Sequence, residues 1–210
     1  MMNNNQTKVV AFISQWVRDD CGDRFKKGDL IKELKLESYP HEIRESKTKE
    51  KKLCQICLNK YCYIGKVIAI VLFKSESAYS VVNIIIDCGV PIRLNFIDRD
   101  RFKLPGAKHV LGPLPKNLKV GSWIVGESDI SFLTCVDSEY VRFPVTAKVT
   151  NIIKLVKESS SKDFGKSINL DDSGDSLEIG INDIFVELEI KKIGKLQDDV
   201  KGRPVLKLLK

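Results

Sequence analysis

The stretch Tyr63-Ile-Gly-Lys-Val-Ile-Ala-Ile-Val-Leu-Phe73 constrains this chain more than any other. It is β-branched and apolar at both odd and even positions, so as a strand it must be covered on both faces. Two further runs follow it closely. Tyr79–Ile86 predicts a second strand, and Val90–Ile97 a third. In the third, Ile92, Leu94 and Phe96 alternate with Arg93 and Asn95, the pattern of a strand with one apolar and one polar face. Asp87-Cys88-Gly89 between them predicts a hairpin turn, with Gly89 at positive φ. A proline-bearing connection, Asp98–Lys119, leads to a fourth strand at Trp123–Leu133. A fifth is predicted at Val141–Val149, with Val141, Phe143, Val145, Ala147 and Val149 on one face and Arg142, Thr146 and Lys148 on the other.

A long first strand, a tight second-to-third hairpin and a long third-to-fourth connection predict a single five-stranded Greek-key barrel of the OB type. An immunoglobulin-like sandwich would need about seven short strands at even spacing. Around the barrel, residues 1–60 read as an N-terminal amphipathic helix and a basic connector. The helix is expected over Thr7–Asp20, from an apolar stripe of Val9, Phe12, Ile13, Trp16 and Val17. The barrel itself takes residues 61–157. Residues 158–176 read as an acidic flexible linker and 177–210 as a C-terminal docking segment, where Val186, Leu188 and Ile190 alternate with acids. For that last segment strand and helix both remain open.

Charge is divided along the chain. The net charge is +7, but Arg24–Lys66 holds twelve Lys/Arg against six Asp/Glu, and Glu158–Glu189 nine acids against two bases. A basic front is compatible with a polyanionic partner. No run approaches the roughly 18 apolar residues of a membrane-spanning helix. The polar start Met1–Lys8 lacks the apolar centre of a secretory signal, so reduced thiols are expected for the six cysteines. Cys54-x-x-Cys57 with Cys62 has no second such pair to complete four zinc ligands, and the histidines are two, His41 and His109. The expectation is therefore no metal and no cofactor. No phosphate-cradling loop, Gly-x-Ser-x-Gly elbow or His-x-x-x-His pair occurs, and no enzymatic activity is expected.

The segments Tyr63-Ile-Gly-Lys-Val-Ile-Ala-Ile-Val, Tyr79-Ser-Val-Val-Asn-Ile-Ile-Ile-Asp-Cys-Gly-Val-Pro-Ile-Arg-Leu and Leu118-Lys-Val-Gly-Ser-Trp-Ile-Val-Gly resemble the OB domain of the Stn and replication protein A middle-subunit family. The likeness covers about Cys62–Val156, with Asp87-Cys88-Gly89 and Val120-Gly121-Ser122 as degenerate versions of that family's hairpin and fourth-strand motifs. It implies a single-stranded DNA-binding subunit of a telomere-capping complex, nuclear and chromosomal, working beside other OB-fold or capping subunits as a hetero-oligomer. The other reading is a protein-docking barrel with little affinity for nucleic acid.

OB barrels hold single strands with cations along a groove and aromatic faces that stack on bases. The nucleic-acid candidates are Tyr79, Arg93, Asn95, Arg99, Arg101, Lys103, Lys108, Arg142 and Lys148. The partner-docking candidates are Phe12, Ile13, Trp16, Val186, Leu188 and Ile190.

Overall fold

The computed structural model of the chain describes residues 7–13, 24–74, 80–97, 115, 117–134, 141–157, 164–171, 183–195, 197–198 and 206–208. The strands are β1 Lys8–Ile13, β2 Leu30–Ser38, β3 Ile43–Glu45, β4 Lys52–Cys57, β5 Lys60–Lys74, β6 Ser80–Asp87 and β7 Pro91–Ile97. They continue with β8 Trp123–Leu133, β9 Val141–Arg142, β10 Val145–Lys157, β11 Phe164–Leu170, β12 Asp183–Ile193, β13 Gln197–Asp198 and β14 Leu206–Leu208. Among the described residues there is no helix.

Eight of these strands close a barrel. Hydrogen bonds run β5–β6–β7–β2–β10–β12–β1–β8 and back to β5. Two contacts in the ring are parallel, β7 with β2 and β1 with β8; the others are antiparallel. A further antiparallel ladder joins β2 to β8, from Lys35↔Leu133 to Ser38↔Ile130. All eight strands contribute to one core, through side chains such as Val9, Leu34, Val67, Ile84, Leu94, Ile130, Val149 and Val186, each fully buried. Burying such a side chain contributes about 1.5–3 kcal/mol. Tyr61 reaches from β5 to β1, where its hydroxyl accepts the Val10 N–H at 2.7 Å.

The four strands from β5 to β8 lie where the apolar patterning puts them. Gly89 closes the β6–β7 hairpin at φ 104°, and its N–H donates to the Asp87 carboxylate at 3.1 Å. Elsewhere the structure departs from the expectations. The N-terminal helix is not formed over Lys8–Ile13, which is β1; residues 14–20 lie outside the described residues. The spacing of Val9, Ala11 and Ile13 also satisfies a two-residue period, and those three side chains turn inward while Phe12 turns outward. Pairing decides between the two periods: β1 lies along β12 from Lys8↔Glu189 to Ile13↔Ile184 and meets β8 at Phe12↔Ser131.

The expected five-strand closure through Val141–Val149 is replaced by the eight-strand ring. Val141–Arg142 is the short β9, and β10 pairs with β12, β11 and β2. The strand beside β7 and β8 is β2, drawn from the segment that reads as a connector. Within the segment that reads as a flexible linker, β11 pairs with β10 from Lys157↔Phe164 to Ile152↔Leu170. The segment open between helix and strand is a strand, β12, held between β10 and β1.

Candidate functional site

The outer face of β8 carries a concavity. Its floor is made by alternation: Ile124, Ser128, Ile130 and Phe132 are buried, whereas Glu127 and Asp129 point outward. One wall comes from the chain between β2 and β3. Ser38 pairs with Ile130 and Ile43 with Gly126, so five residues of advance on this side face four on β8. Tyr39-Pro40-His41-Glu42, one residue longer than the Glu127–Asp129 stretch it faces, bulges out of the ladder. Pro40 has no N–H to offer a ladder, and Tyr39 is left 56% exposed.

The bulge leaves two concavities sharing Tyr39, His41 and Asp129. One, of about 480 Å³, also touches Arg44, Lys60, Cys62 and Glu127. The other, of about 460 Å³, touches Phe12, Glu37, Ser131 and Leu133. The charge balance is mixed. Lys60 and Arg44 face Glu42, Glu127 and Asp129, and Arg44 is already engaged: Nε and Nη2 donate to the two Glu42 oxygens at 2.9 and 3.0 Å. Those bonds hold the Glu42 carboxyl below, and the Arg44 guanidinium above, their ordinary ranges.

At one side of the groove lies a buried polar cluster. In register across the outer face stand Ile85, Arg93, Glu37 and Ser131. Glu37 Oε2 accepts from Arg93 Nη2 at 2.6 Å and from Asn95 Nδ2 at 3.0 Å. The Arg93 and Glu37 side chains are 12% and 6% exposed. The two sequence-predicted residues Arg93 and Asn95 are thus brought together, but by a carboxylate of β2, which neutralises the charge that would meet a phosphate.

The other predicted residues scatter. Lys148 is exposed on β10, opposite Leu30 and Glu189. Leu30 and Glu37 are separated by roughly 20 Å of strand, so Lys148 does not share a site with Arg93. Arg142 lies in β9 opposite Gln197. Tyr79, Arg99, Arg101, Lys103, Lys108 and Trp16 lie outside the described residues. Among the docking candidates, Ile13, Val186 and Leu188 are fully buried, and Ile190 nearly so, in the chain's own core. Phe12 packs against Phe185 at 5.6 Å between ring centroids and lines the groove.

A second surface was not singled out from the sequence. Ser46 N–H donates to Trp123 O at 2.8 Å, Val67 N–H to Ser122 O at 2.8 Å, and Lys66 stands opposite both Asp87 and Trp123. These bonds gather the β3–β4 turn, the start of β8 and the β6–β7 hairpin at one end of the barrel. Exposed there are Lys47, Lys49, Lys51, Lys52, Lys66 and Lys119, against the exposed Glu45 and Glu50 and the half-buried Asp87. Lys51 pairs with Asp87 at 2.6 Å, which leaves five lysines to two acids beside the half-buried indole of Trp123. The run of alternating charges from Glu42 to Lys52 is the signal for it; what the sequence hides is that folding brings Lys66 and Lys119 beside that run.

No protein-family model, curated protein or solved structure matches the chain.

Proposed function

We propose that the chain is an OB-type barrel subunit that holds single-stranded DNA within a chromosome-end capping assembly. The observation that carries the reading is the pairing order. In an OB barrel the first three strands form an antiparallel meander, the third meets the fifth in parallel, and the fourth pairs antiparallel with both the fifth and the first. Strands β5, β6, β7, β8 and β2 fill those five places in turn, with every pairing in the matching direction. The fifth strand is supplied from upstream of the first.

The other half of the barrel repeats the pattern. Strands β10, β12, β1, β2 and β8 take places one to five, so β2 and β8 exchange the fourth and fifth roles. The eight-strand barrel is on this reading two OB rings sharing one antiparallel pair. The chromosome-end setting rests on the sequence resemblance over Cys62–Val156.

For the DNA the lysine-rich end is the favoured surface, with Trp123 available for stacking and Lys47, Lys49 and Lys52 for phosphates. The test is fluorescence anisotropy with a labelled single strand across a salt series. Each phosphate contact contributes about 0.7 to the slope of log affinity against log salt for single strands. The triple variant Lys47→Ala, Lys49→Ala, Lys52→Ala is expected to lower the slope by about 2. An unchanged slope would remove this end from the interface.

The mixed-charge groove favours a second reading, a barrel that docks a partner polypeptide. Three exposed carboxylates repel phosphates, while Tyr39 and Phe12 offer an apolar face to a basic peptide segment. A stoichiometric protein partner that is lost with Tyr39→Ala, together with no single-strand binding by the purified chain, would favour it over the first.

A further inference from the structure

The hairpin of β4 and β5 sets two free thiols against each other. Cys54 stands directly opposite Cys62 in the antiparallel ladder, and both are partly exposed. Directly opposed residues point to the same side of a sheet. Here that is the outer side, since Tyr61 and Tyr63, the neighbours of Cys62, are buried in the core. Opposed Cβ atoms lie about 4.5–5.5 Å apart, and a disulfide spans about 3.5–4.5 Å. The gap is small, and β4 is able to close it. Among the described residues β4 pairs with β5 alone, and the register already slips between Gln55 and Cys57.

We propose that Cys54 and Cys62 form a redox modification site, a dithiol that closes to a cross-strand disulfide by exchange with a small disulfide such as oxidised glutathione. One thiolate attacks a glutathione sulfur, the glutathione S–S bond breaks, and a glutathione thiolate leaves and takes up a proton. The second cysteine, as thiolate, attacks the mixed disulfide and releases the second glutathione. Two protein thiols are oxidised, and one glutathione disulfide is reduced to two thiols. Cross-strand geometry and exposure place the bond in the labile class rather than the structural one.

Two neighbours sharpen the assignment. Cys57 is exposed at the turn and stands opposite Lys60, so it has no thiol across from it. Cys88 is buried, its thiol donates to Val90 O at 3.3 Å, and burial pushes its pKa up to about 12, which keeps it inert. Cys62 also lines the groove, standing opposite Glu127 of β8, so closing the bond alters the wall that a docked segment touches.

The experiment treats the native full-length protein with oxidised glutathione, blocks remaining thiols and maps peptides by mass spectrometry. The expected product is a Cys54–Cys62 linked pair, formed equally in Cys57→Ser, reversed by dithiothreitol and absent from Cys62→Ser. Circular dichroism of Cys62→Ser establishes that this variant is folded. Recovery of Cys54 and Cys62 each carrying a single glutathione, or linkage of either one to Cys57, would overturn the proposal.

Discussion

Removing the Glu37 carboxylate tests how β2 is held against β7. In Glu37→Ala the Arg93 guanidinium, 12% exposed, loses the oxygen it contacts at 2.6 Å, and Asn95 loses its acceptor at 3.0 Å. Arg93 keeps a further contact, so the cost is that of losing a buried hydrogen bond between charged groups, about 1.5–3 kcal/mol. The lost Asn95 bond falls within that range rather than adding to it, because both donors share one oxygen. Replacing both charges, as in Glu37→Met with Arg93→Met, leaves no unpaired charge, and its expected cost is that of the Asn95 amide without its acceptor, about 1–3 kcal/mol. Urea unfolding followed by tryptophan fluorescence reads both variants and gives the coupling between the sites. The same pair separates structure from ligand contact. With Arg93 committed to Glu37, Arg93→Ala is expected to destabilise the fold while leaving the salt slope of single-strand binding unchanged. A Glu37→Ala variant within 1 kcal/mol of the parent, or an Arg93→Ala variant that lowers the slope without destabilising, would refute the reasoning.

Gly126 of β8 sits over a buried ring: an added Cβ would stand 2.6 Å from the Tyr63 hydroxyl oxygen and 2.9 Å from the carbon bearing it. Gly126→Ala is therefore expected to cost about 1–3 kcal/mol in chemical denaturation, part of it recovered by Tyr63→Phe; a neutral Gly126→Ala would contradict this packing. Glu187 is held below the ordinary carboxylate range, first by the Thr150 hydroxyl, which donates at 2.6 Å, and then by Lys8 at 2.9 Å. A depressed carboxylate stabilises the fold above its unfolded value, and the contribution is lost as pH falls through the folded value. Thr150→Val should raise the Glu187 pKa toward its ordinary 4.5 and leave less stability to lose on acidification, read by NMR titration and acid unfolding; identical titrations would count against the bond. The Phe12–Phe185 ring pair should show a coupling of about 0.5–1.5 kcal/mol in a double-mutant cycle, and none if the rings are merely adjacent.

The strands from β5 to β8 were legible because they are long β-branched and apolar runs, alternating with polar residues in β7, and their turns carry Asp87-Cys88-Gly89 and Val120-Gly121-Ser122. The closing strand β2 was not. Its inward residues are Ile31, Leu34 and Leu36, spaced three and then two apart. Glu33 at φ 59° marks an extra residue, and three steps on β2 face two on β10 between Leu34↔Val145 and Ile31↔Ala147. A β-bulge of this kind breaks the period-two signal that reveals a strand. Leu30–Ser38 then reads as an apolar piece of a basic connector and not as a barrel strand, although Lys35 and Glu37 are buried. Conversely, Val141–Val149 alternates cleanly and sits where a fifth strand would follow the fourth, but pairing across distant segments is set by register and not by chain order. At the site, Arg93 and Asn95 were visible as the polar face of β7. Their partner Glu37 was not, because the strand carrying it was hidden.

The central claim is that β2 runs parallel to β7 and antiparallel to β8, closing the sheet from upstream. Long-range backbone NOEs in isotope-labelled full-length protein test it directly. Contacts of Glu37 and Ser38 with Arg93 and Leu94, together with contacts of Leu36 with Phe132, are the predicted result. Contacts of β7 with Val145–Val149 in their place, with none to residues 30–38, would contradict it.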